Sequence, residues 1–176
     1  MTSDGLPSRL HHYAFLTKDQ EATRAFYEDV IGLPLVATWS EADEIFGAHR
    51  EYCHTFFALG DGGALAFFQF ADPDDQKQFD PDFTPTPFRH IALNVTAEVQ
   101  SAIEKRLVES GWDAKPRVVD HGYCRSLYTL DPNGLRLEFT VDDENADEIA
   151  RDRRADAHDT LKRWLGGDRT SNNSYR

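Results

Sequence analysis

The chain has little cysteine, little positive charge and no long hydrophobic run. Its 176 residues include two cysteines, Cys53 and Cys124, which are too few for a disulfide framework and too widely spaced for a cysteine-based zinc site. A reducing cytoplasm fits this content best. Lysine and arginine total 19 against 31 aspartates and glutamates, a formal net charge of −12. Because nucleic acids and anionic lipids are bound through basic patches, we expect neither as a partner.

The hydropathy pattern of the sequence also predicts neither a membrane-spanning segment nor a secretion signal. No stretch approaches the ~18 uninterrupted apolar residues of a spanning helix, and the first residues lack a basic segment followed by an apolar core. What the chain does have is 40% hydrophobic residues, 12 of them phenylalanine. This composition is typical of an ordinary globular protein with a sizeable core.

Hydrophobic periodicity divides the chain into two similar halves. In each half an apolar strand precedes an amphipathic helix, and three further strands follow. For the first helix, Asp19 is the predicted N-cap and Gly32 the predicted end. The strands are predicted at 10–16, 35–39, 52–59, 64–70, 90–95, 117–119, 126–130 and 135–141, and the helices at 20–31 and 97–110. Each half is therefore β-α-β-β-β, and a tandem duplication is the simplest interpretation.

The predicted organisation has six parts. They are an N-terminal arm (1–9), a first βαβββ module (10–72), an inter-module linker rich in Asp and Pro (73–87), a second module (88–141), an appended helix (142–167) and a disordered tail (168–176). The appended helix has a thin apolar stripe that includes Ile149, Leu161 and Trp164. Such a stripe can pack on the core or on a second subunit, so a homodimer is one of two open arrangements.

Three side chains with metal-binding chemistry occur on predicted strands. His12 and His90 lie at the beginning of corresponding strands, and Glu138 lies in the last strand. A single histidine in an apolar strand is more often a packed side chain, but two at equivalent positions with a carboxylate favour a metal site. Two histidines and one carboxylate leave coordination positions open for substrate or oxygen. A buried Glu138 without a partner would also be costly, and a metal would supply one.

Several motifs together resemble one known family, the vicinal oxygen chelate superfamily, over about residues 10–141. They are His12 followed by Asp19, the run 25–32 with Pro34-Leu35, His90 to Leu93, and Tyr128 through the Asp-Pro-Asn-Gly turn at 131–134 to Glu138. The family includes glyoxalase I, extradiol dioxygenases, fosfomycin-resistance enzymes and bleomycin-binding proteins.

The resemblance implies an α+β fold in which two tandem βαβββ modules form a cupped mixed sheet around a metal, with the appended helix outside it. It also implies that His12, His90 and Glu138 are the metal ligands. Gln69 is the candidate for a fourth inward position, although alignment of the two hairpins by their aspartates favours Phe68 instead. His11 is expected on the face opposite His12. Fe(II) is our first choice of metal, with Mn, Ni, Co or Zn as alternatives.

Three further residues are candidates for proton transfer. Tyr128 lies ten residues before Glu138, where the extradiol dioxygenases carry an acidic tyrosine, and His121 and His54 are histidines that could titrate near pH 7. For each of them a structural role is also open. We expect a metal-dependent enzyme with a small-molecule substrate: first a dioxygenase-like oxidoreductase, second a glyoxalase-like lyase or isomerase. A non-enzymatic binding module is the third interpretation.

Overall fold

The computed structural model describes residues 7–80, 85–113 and 115–174. Parts of the predicted N-terminal arm, linker and C-terminal tail, namely 1–6, 81–84 and 175–176, lie outside the described residues. The chain forms two compact units, each with one four-stranded sheet. The first unit is Met1–Arg89 with Leu130–Arg136, and the second is His90–Thr129 with Leu137–Arg176. The predicted α+β class with two βαβββ modules is confirmed.

The sheet of the first unit has the strand order β1-β4-β3-β2. β1 pairs with β4 in parallel, and the other pairs are antiparallel. Because side chains alternate along a strand, the register places His12, His54 and Phe68 on one face, here called the His12 face, and Gln69 on the opposite face. The strands are β1 (His12–Leu16), β2 (Leu35–Ile45), β3 (Ala48–Ala58) and β4 (Ala64–Phe70).

The helix of the first module has both predicted ends. It begins as α1 (Gln20–Arg24) and continues as a π-helical segment, Ala25–Ile31. The Asp19 side chain caps α1 by accepting a hydrogen bond from a backbone N–H of the first turn. Gly32 ends the segment with φ of 92°, the left-handed conformation that favours glycine.

Aromatic rings fill the space between this helix and the face opposite His12. Tyr27 is fully buried, and its ring centroid lies 5.3 Å from that of Phe57 and 4.9 Å from that of Phe67. Burial of each such ring contributes about 1.5–3 kcal/mol to folding. The helix is therefore held on the sheet mainly by apolar packing.

The β2–β3 hairpin is longer than the sequence pattern predicts. Its strands are joined by the two-residue turn Phe46-Gly47, in which φ is 49° and 79°. Positive φ at both central residues is the property of a type I′ turn, whose twist matches that of the strands. After β4 the chain forms a short helix, α2 (Pro73–Phe79), inside the predicted linker.

The second unit repeats the arrangement with the strand order β5-β8-β7-β6. Helix α3 (Ala97–Glu109) is joined to the sheet by Gln100, whose buried amide donates to the Phe139 carbonyl at 2.7 Å and the Arg125 carbonyl at 3.0 Å. Glu138 alternates with Phe139 and so points to the other face. The strands are β5 (His90–Asn94), β6 (Arg117–Asp120), β7 (Cys124–Leu130) and β8 (Arg136–Asp142).

The predicted appended helix is present as α4 (Ala146–Leu165). Ile149 is buried, whereas Leu161, Trp164 and Leu165 near its end are exposed. None of the helices in the described part of the chain has the length and apolar character that a bilayer span requires.

Candidate functional site

Glu138 lies in a polar cluster of the second unit and is itself only 6% exposed. Its Oε2 atom is 2.9 Å from His90 Nε2. Its Oε1 atom accepts hydrogen bonds from Ser126 Oγ at 2.6 Å and from Tyr128 Oη at 2.8 Å. Both carboxylate oxygens therefore have partners, and the two hydroxyls restrict the rotation of the carboxylate.

Tyr128 links this cluster to His121. The hydroxyl oxygen of Tyr128 is 3.0 Å from His121 Nε2. Because the Tyr128 hydroxyl donates its single proton to Glu138 Oε1, it can only accept from His121, and His121 Nε2 is therefore the donor to Tyr128 Oη. Burial and the bond to Glu138 raise the pKa of Tyr128, so this side chain keeps its proton at neutral pH.

His90 and Glu138 fit a divalent metal as neighbouring ligands. Nitrogen and oxygen donors bind such metals at about 2.0–2.2 Å, so two donors at right angles are about 3 Å apart. The 2.9 Å between His90 Nε2 and Glu138 Oε2 matches this spacing. Hydrogen bonds to the other carboxylate oxygen are what a ligating carboxylate normally receives.

His12 belongs to the first unit, where it is exposed on the His12 face. Its Nδ1 atom is 2.8 Å from Nδ1 of His11, although strand alternation predicts opposite faces for the two; His11 precedes β1 and is free of that alternation. The contact leaves Nε2 of His12 as the ring nitrogen available to another group. The ring centroid of His12 is 5.7 Å from that of Phe56 and 6.5 Å from that of His54.

His54 lies on the same face and is stacked on Phe68, with ring centroids 3.5 Å apart. Within the described residues its buried Nε2 atom has no hydrogen-bond partner. Burial lowers the pKa of His54. This imidazole is therefore neutral near pH 7 and can accept a proton.

Gln69 does not join these residues. The expectation that its side chain takes the fourth inward position is therefore corrected. Its Oε1 atom accepts from the Gln20 backbone N–H at 3.0 Å, and its amide nitrogen donates to the Lys18 carbonyl at 3.2 Å. These bonds hold it on the helix-covered face of β4. Phe68 occupies the His12 face instead, because the side-chain period of a strand is two and a shift of one residue reverses the face.

The structure brings together four of the seven predicted site residues, His90, Glu138, Tyr128 and His121, and it separately pairs His12 with His54. Within the described ranges, no group of three or more His, Cys, Asp or Glu side chains has metal-binding spacing. Sequence reasoning missed Ser126, which is fully buried against Glu138. The available signal was its position two residues before Tyr128, which puts both hydroxyls on one face of β7.

Comparison with known proteins agrees with the fold. Residues 9–139 match the Glyoxalase/Bleomycin resistance protein/Dioxygenase superfamily. Since this match covers most of the chain, the protein belongs to that family, which confirms the resemblance found in the sequence.

Individual relatives are distant. A 2-epi-5-epi-valiolone epimerase from Actinomyces sp is 27% identical over 154 residues, covering 79% of this chain and 83% of the relative. A glyoxylase/bleomycin resistance protein/dioxygenase domain from Frankia sp. EAN1pec has a TM-score of 0.59 and 15% identity, covering 78% and 94% of the two chains.

A third similar protein is a variant of the fosfomycin resistance protein FosX from Listeria monocytogenes, solved with Mn(II) and 1S,2S-dihydroxypropylphosphonic acid. It has a TM-score of 0.54 and 20% identity, and the match covers 76% of this chain and 92% of that one. At such identities the structural matches show the fold.

Proposed function

We propose that the protein is a metal-dependent enzyme that moves protons on a small substrate with an enolisable carbonyl group. The observation that carries the proposal is the buried Glu138 carboxylate, oriented by Ser126 and Tyr128 and adjacent to His90. His12 is included in the proposed ligand set on the sequence pattern and the family resemblance alone.

The donor set suits a borderline or hard divalent cation. Fe(II) and Mn(II) are the first candidates, Mn(II) because FosX was solved with it, with Ni, Co and Zn as alternatives. Such a cation stabilises negative charge on a substrate oxygen. Ser126 and Tyr128 hold Oε1 of Glu138, so that Oε2 is the oxygen presented beside His90.

His54 is the proposed base. Its imidazole is neutral, and among the described residues its buried Nε2 has no hydrogen-bond partner, so this atom would take a proton from a substrate carbon next to a carbonyl group once the bound substrate reaches it. His121 and Tyr128 form a hydrogen-bonded pair that can supply protons to the cluster from outside it. Removal of the proton by His54 and return of a proton to the opposite face of that carbon would invert its configuration, and a relative that is 27% identical to this chain is an epimerase.

A dioxygenase-like oxidoreductase is the second candidate. Tyr128, with its retained proton close to Glu138, is the observation that favours it, since ring cleavage of a catechol needs an acid near the metal. Gln69 does not bear on the choice, because its side chain faces α1.

The test begins with metal content. Protein purified without oxygen should hold close to one equivalent of a divalent metal, and His90→Ala or Glu138→Gln should remove most of it. His49→Ala is the matched control, since His49 is an exposed histidine of the β2–β3 hairpin. Retention of the metal by both site variants would contradict the proposal.

Activity then separates the two reactions. With the metal bound, the first candidate predicts exchange of a substrate α-hydrogen for deuterium in D₂O across a panel of cyclic hydroxyketones and hemithioacetals, and His54→Gln should slow it by roughly 10²-fold or more. Oxygen uptake with catechols and no exchange would favour the second candidate. Neither reaction, together with unaltered ligand binding by the metal-free protein, would favour a binding module.

A further inference from the structure

An apolar pocket of about 350 Å³ lies in the first unit, on the His12 face. Among the described residues, aromatic rings form most of its wall and no charged side chain lines it. The residues that matter here are Phe46 at the hairpin turn, Phe79 at the end of α2, and Tyr52, Phe68 and Phe70 on the sheet. A pocket of this size is near the lower limit of small-molecule sites.

Phe46 is an unusual residue at its position. It occupies the first central position of a type I′ turn with φ of 49°, where Asn, Asp or Gly is strongly preferred. Its side chain is nevertheless 84% exposed, and within the part of the chain that the structure describes its one ring contact is with Phe79, at 5.8 Å between centroids. Neither local conformation nor core packing explains a phenylalanine here, and strained residues of this kind are concentrated at ligand sites.

Arg50 holds the walls of the pocket in place. It is only 7% exposed and forms a 2.8 Å ion pair with Asp75 of α2. Its guanidinium group also donates to the Ile45 carbonyl beside the turn and lies 5.1 Å from the Phe79 ring centroid. One buried arginine therefore joins the hairpin tip to α2, which makes the pocket a built feature with fixed walls.

The pocket is continuous with the predicted site residues of the same unit. Phe68 lines the pocket and also carries the His54 ring stacked on it. His54 in turn lies next to His12, with ring centroids 6.5 Å apart. A molecule with its reactive end at His54 would extend over Phe68 directly into the pocket.

We infer that this pocket binds a neutral aromatic ring or a compact branched alkyl group of the substrate, and that Phe46 and Phe79 select for it. The inference rests on the proposed function, because it names the apolar part of the molecule on which His54 acts. A neutral group is specified because the described wall of the pocket carries no charged side chain, and because Asp43 accepts a 2.6 Å hydrogen bond from the hydroxyl of the wall residue Tyr52. The volume suits one ring with substituents and is too small for a helix or a second copy of the chain.

The experiment measures binding of 4-tert-butylphenol and of unsubstituted phenol to the full-length protein by calorimetry. These probes have a single hydroxyl group and cannot chelate, so binding is measured with and without EDTA. We expect 4-tert-butylphenol to bind more tightly than phenol, and Phe46→Asn and Phe79→Ala to weaken it by about tenfold or more, equivalent to ~1.4 kcal/mol. Phe88→Ala is the matched control, an exposed phenylalanine that does not line the pocket.

Phe46→Asn keeps the turn, because asparagine tolerates positive φ, so its result does not depend on a folding defect. Equal affinities in wild type and both pocket variants would overturn the inference. So would loss of binding on addition of EDTA, or self-association of the wild type that Phe46→Asn abolishes. Because metal content is measured separately, failure of the metal proposal leaves this result interpretable.

Discussion

Ser126 is the residue whose role in the cluster can be isolated most cleanly. Its hydroxyl donates to Glu138 Oε1 at 2.6 Å inside a fully buried strand position. We expect Ser126→Ala to lower metal affinity by roughly 10–100-fold, because Glu138 would lose one of two donors that fix its orientation. Competition against a fluorescent chelator measures this change.

Two further variants separate positioning from general destabilisation. Ser101→Ala is the matched control, an exposed serine on α3, and should leave the metal affinity unchanged. Ser126→Thr keeps the hydroxyl and should recover most of the affinity. If Ser126→Ala unfolds more readily yet binds metal as tightly as the wild type, the hydroxyl acts only in packing.

Residue-level prediction from the sequence works where strand position alone decides. The sequence predicts His90 from its place in the strand that corresponds to that of His12, and Glu138 from its place in the last strand; the structure puts the side chains of His90 and Glu138 2.9 Å apart. Such prediction fails where the pairing register of a strand decides on which face of the sheet a side chain lies. Alignment of the two hairpins by their aspartates favours Phe68 for the inward position, whereas an extra residue in the turn before β4 would favour Gln69, and the backbone pairing decides for Phe68.

At the scale of elements, local pattern predicts the βαβββ order but underestimates the β2–β3 hairpin. The acidic residues within 41–44 weaken the hydrophobic pattern that would predict β2. The turn Phe46-Gly47 also lacks the Asn-Gly sequence that is typical of a type I′ turn. The two strands nevertheless pair with each other as far as Ile45 and Ala48, beyond Tyr52, where the pairing of β3 with β4 ends. The helix α1 was predictable because its signals, the Asp19 cap and Gly32, are local.

The hairpin turn gives a stability prediction that opposes its proposed binding role. A left-handed conformation costs a non-glycine residue about 1–2 kcal/mol. Because Phe46 is mostly exposed, its contact with Phe79 stabilises the fold by less than this cost. We therefore expect Phe46→Asn to raise the free energy of unfolding by roughly 0.5–1 kcal/mol, measured by denaturant titration.

Gly47→Ala tests the backbone argument in the opposite direction. Gly47 has φ of 79°, and an added Cβ would meet no atom within 4 Å, so any destabilisation comes from conformation alone. A loss of roughly 1 kcal/mol is expected. If Phe46→Asn destabilises the protein while Gly47→Ala has no effect, strain at this turn is not the reason that Phe46 is unusual.

At the scale of the whole molecule, the sequence halves and the structural units do not coincide. The segment Leu130–Arg136 belongs by sequence to the second half but lies within the first unit. There Asp131, 4% exposed, accepts a hydrogen bond from Tyr27 Oη at 3.1 Å. A bond between residues 104 positions apart has no signature in local periodicity, so the six predicted boundaries stay a prediction.

This buried carboxylate makes stability depend on pH. Burial raises the pKa of Asp131 above 3.8, although backbone N–H groups of Asn133 and Leu135 also bond it. The folded state therefore binds the proton more tightly than the unfolded state, and the contribution is complete below pH ~3.8 and lost as pH rises through the folded-state pKa. The substitution Asp131→Asn removes the carboxyl group that titrates at this position.

The expected outcome is a difference between two pH profiles of the unfolding free energy. As pH rises above ~3.8, the wild type should lose stability relative to Asp131→Asn, because only the wild type must bury a charge. Tyr27→Phe removes a donor to the carboxylate and so raises the pKa of Asp131 further, which makes the total loss larger and extends it to higher pH, although it begins at the same pH. Denaturant titrations of the three proteins across this range measure the profiles. If the unfolding free energy of the wild type instead rises with pH relative to that of Asp131→Asn, the hydrogen bonds to the carboxylate outweigh the cost of burying its charge. Asp131 would then stabilise this fold as a carboxylate.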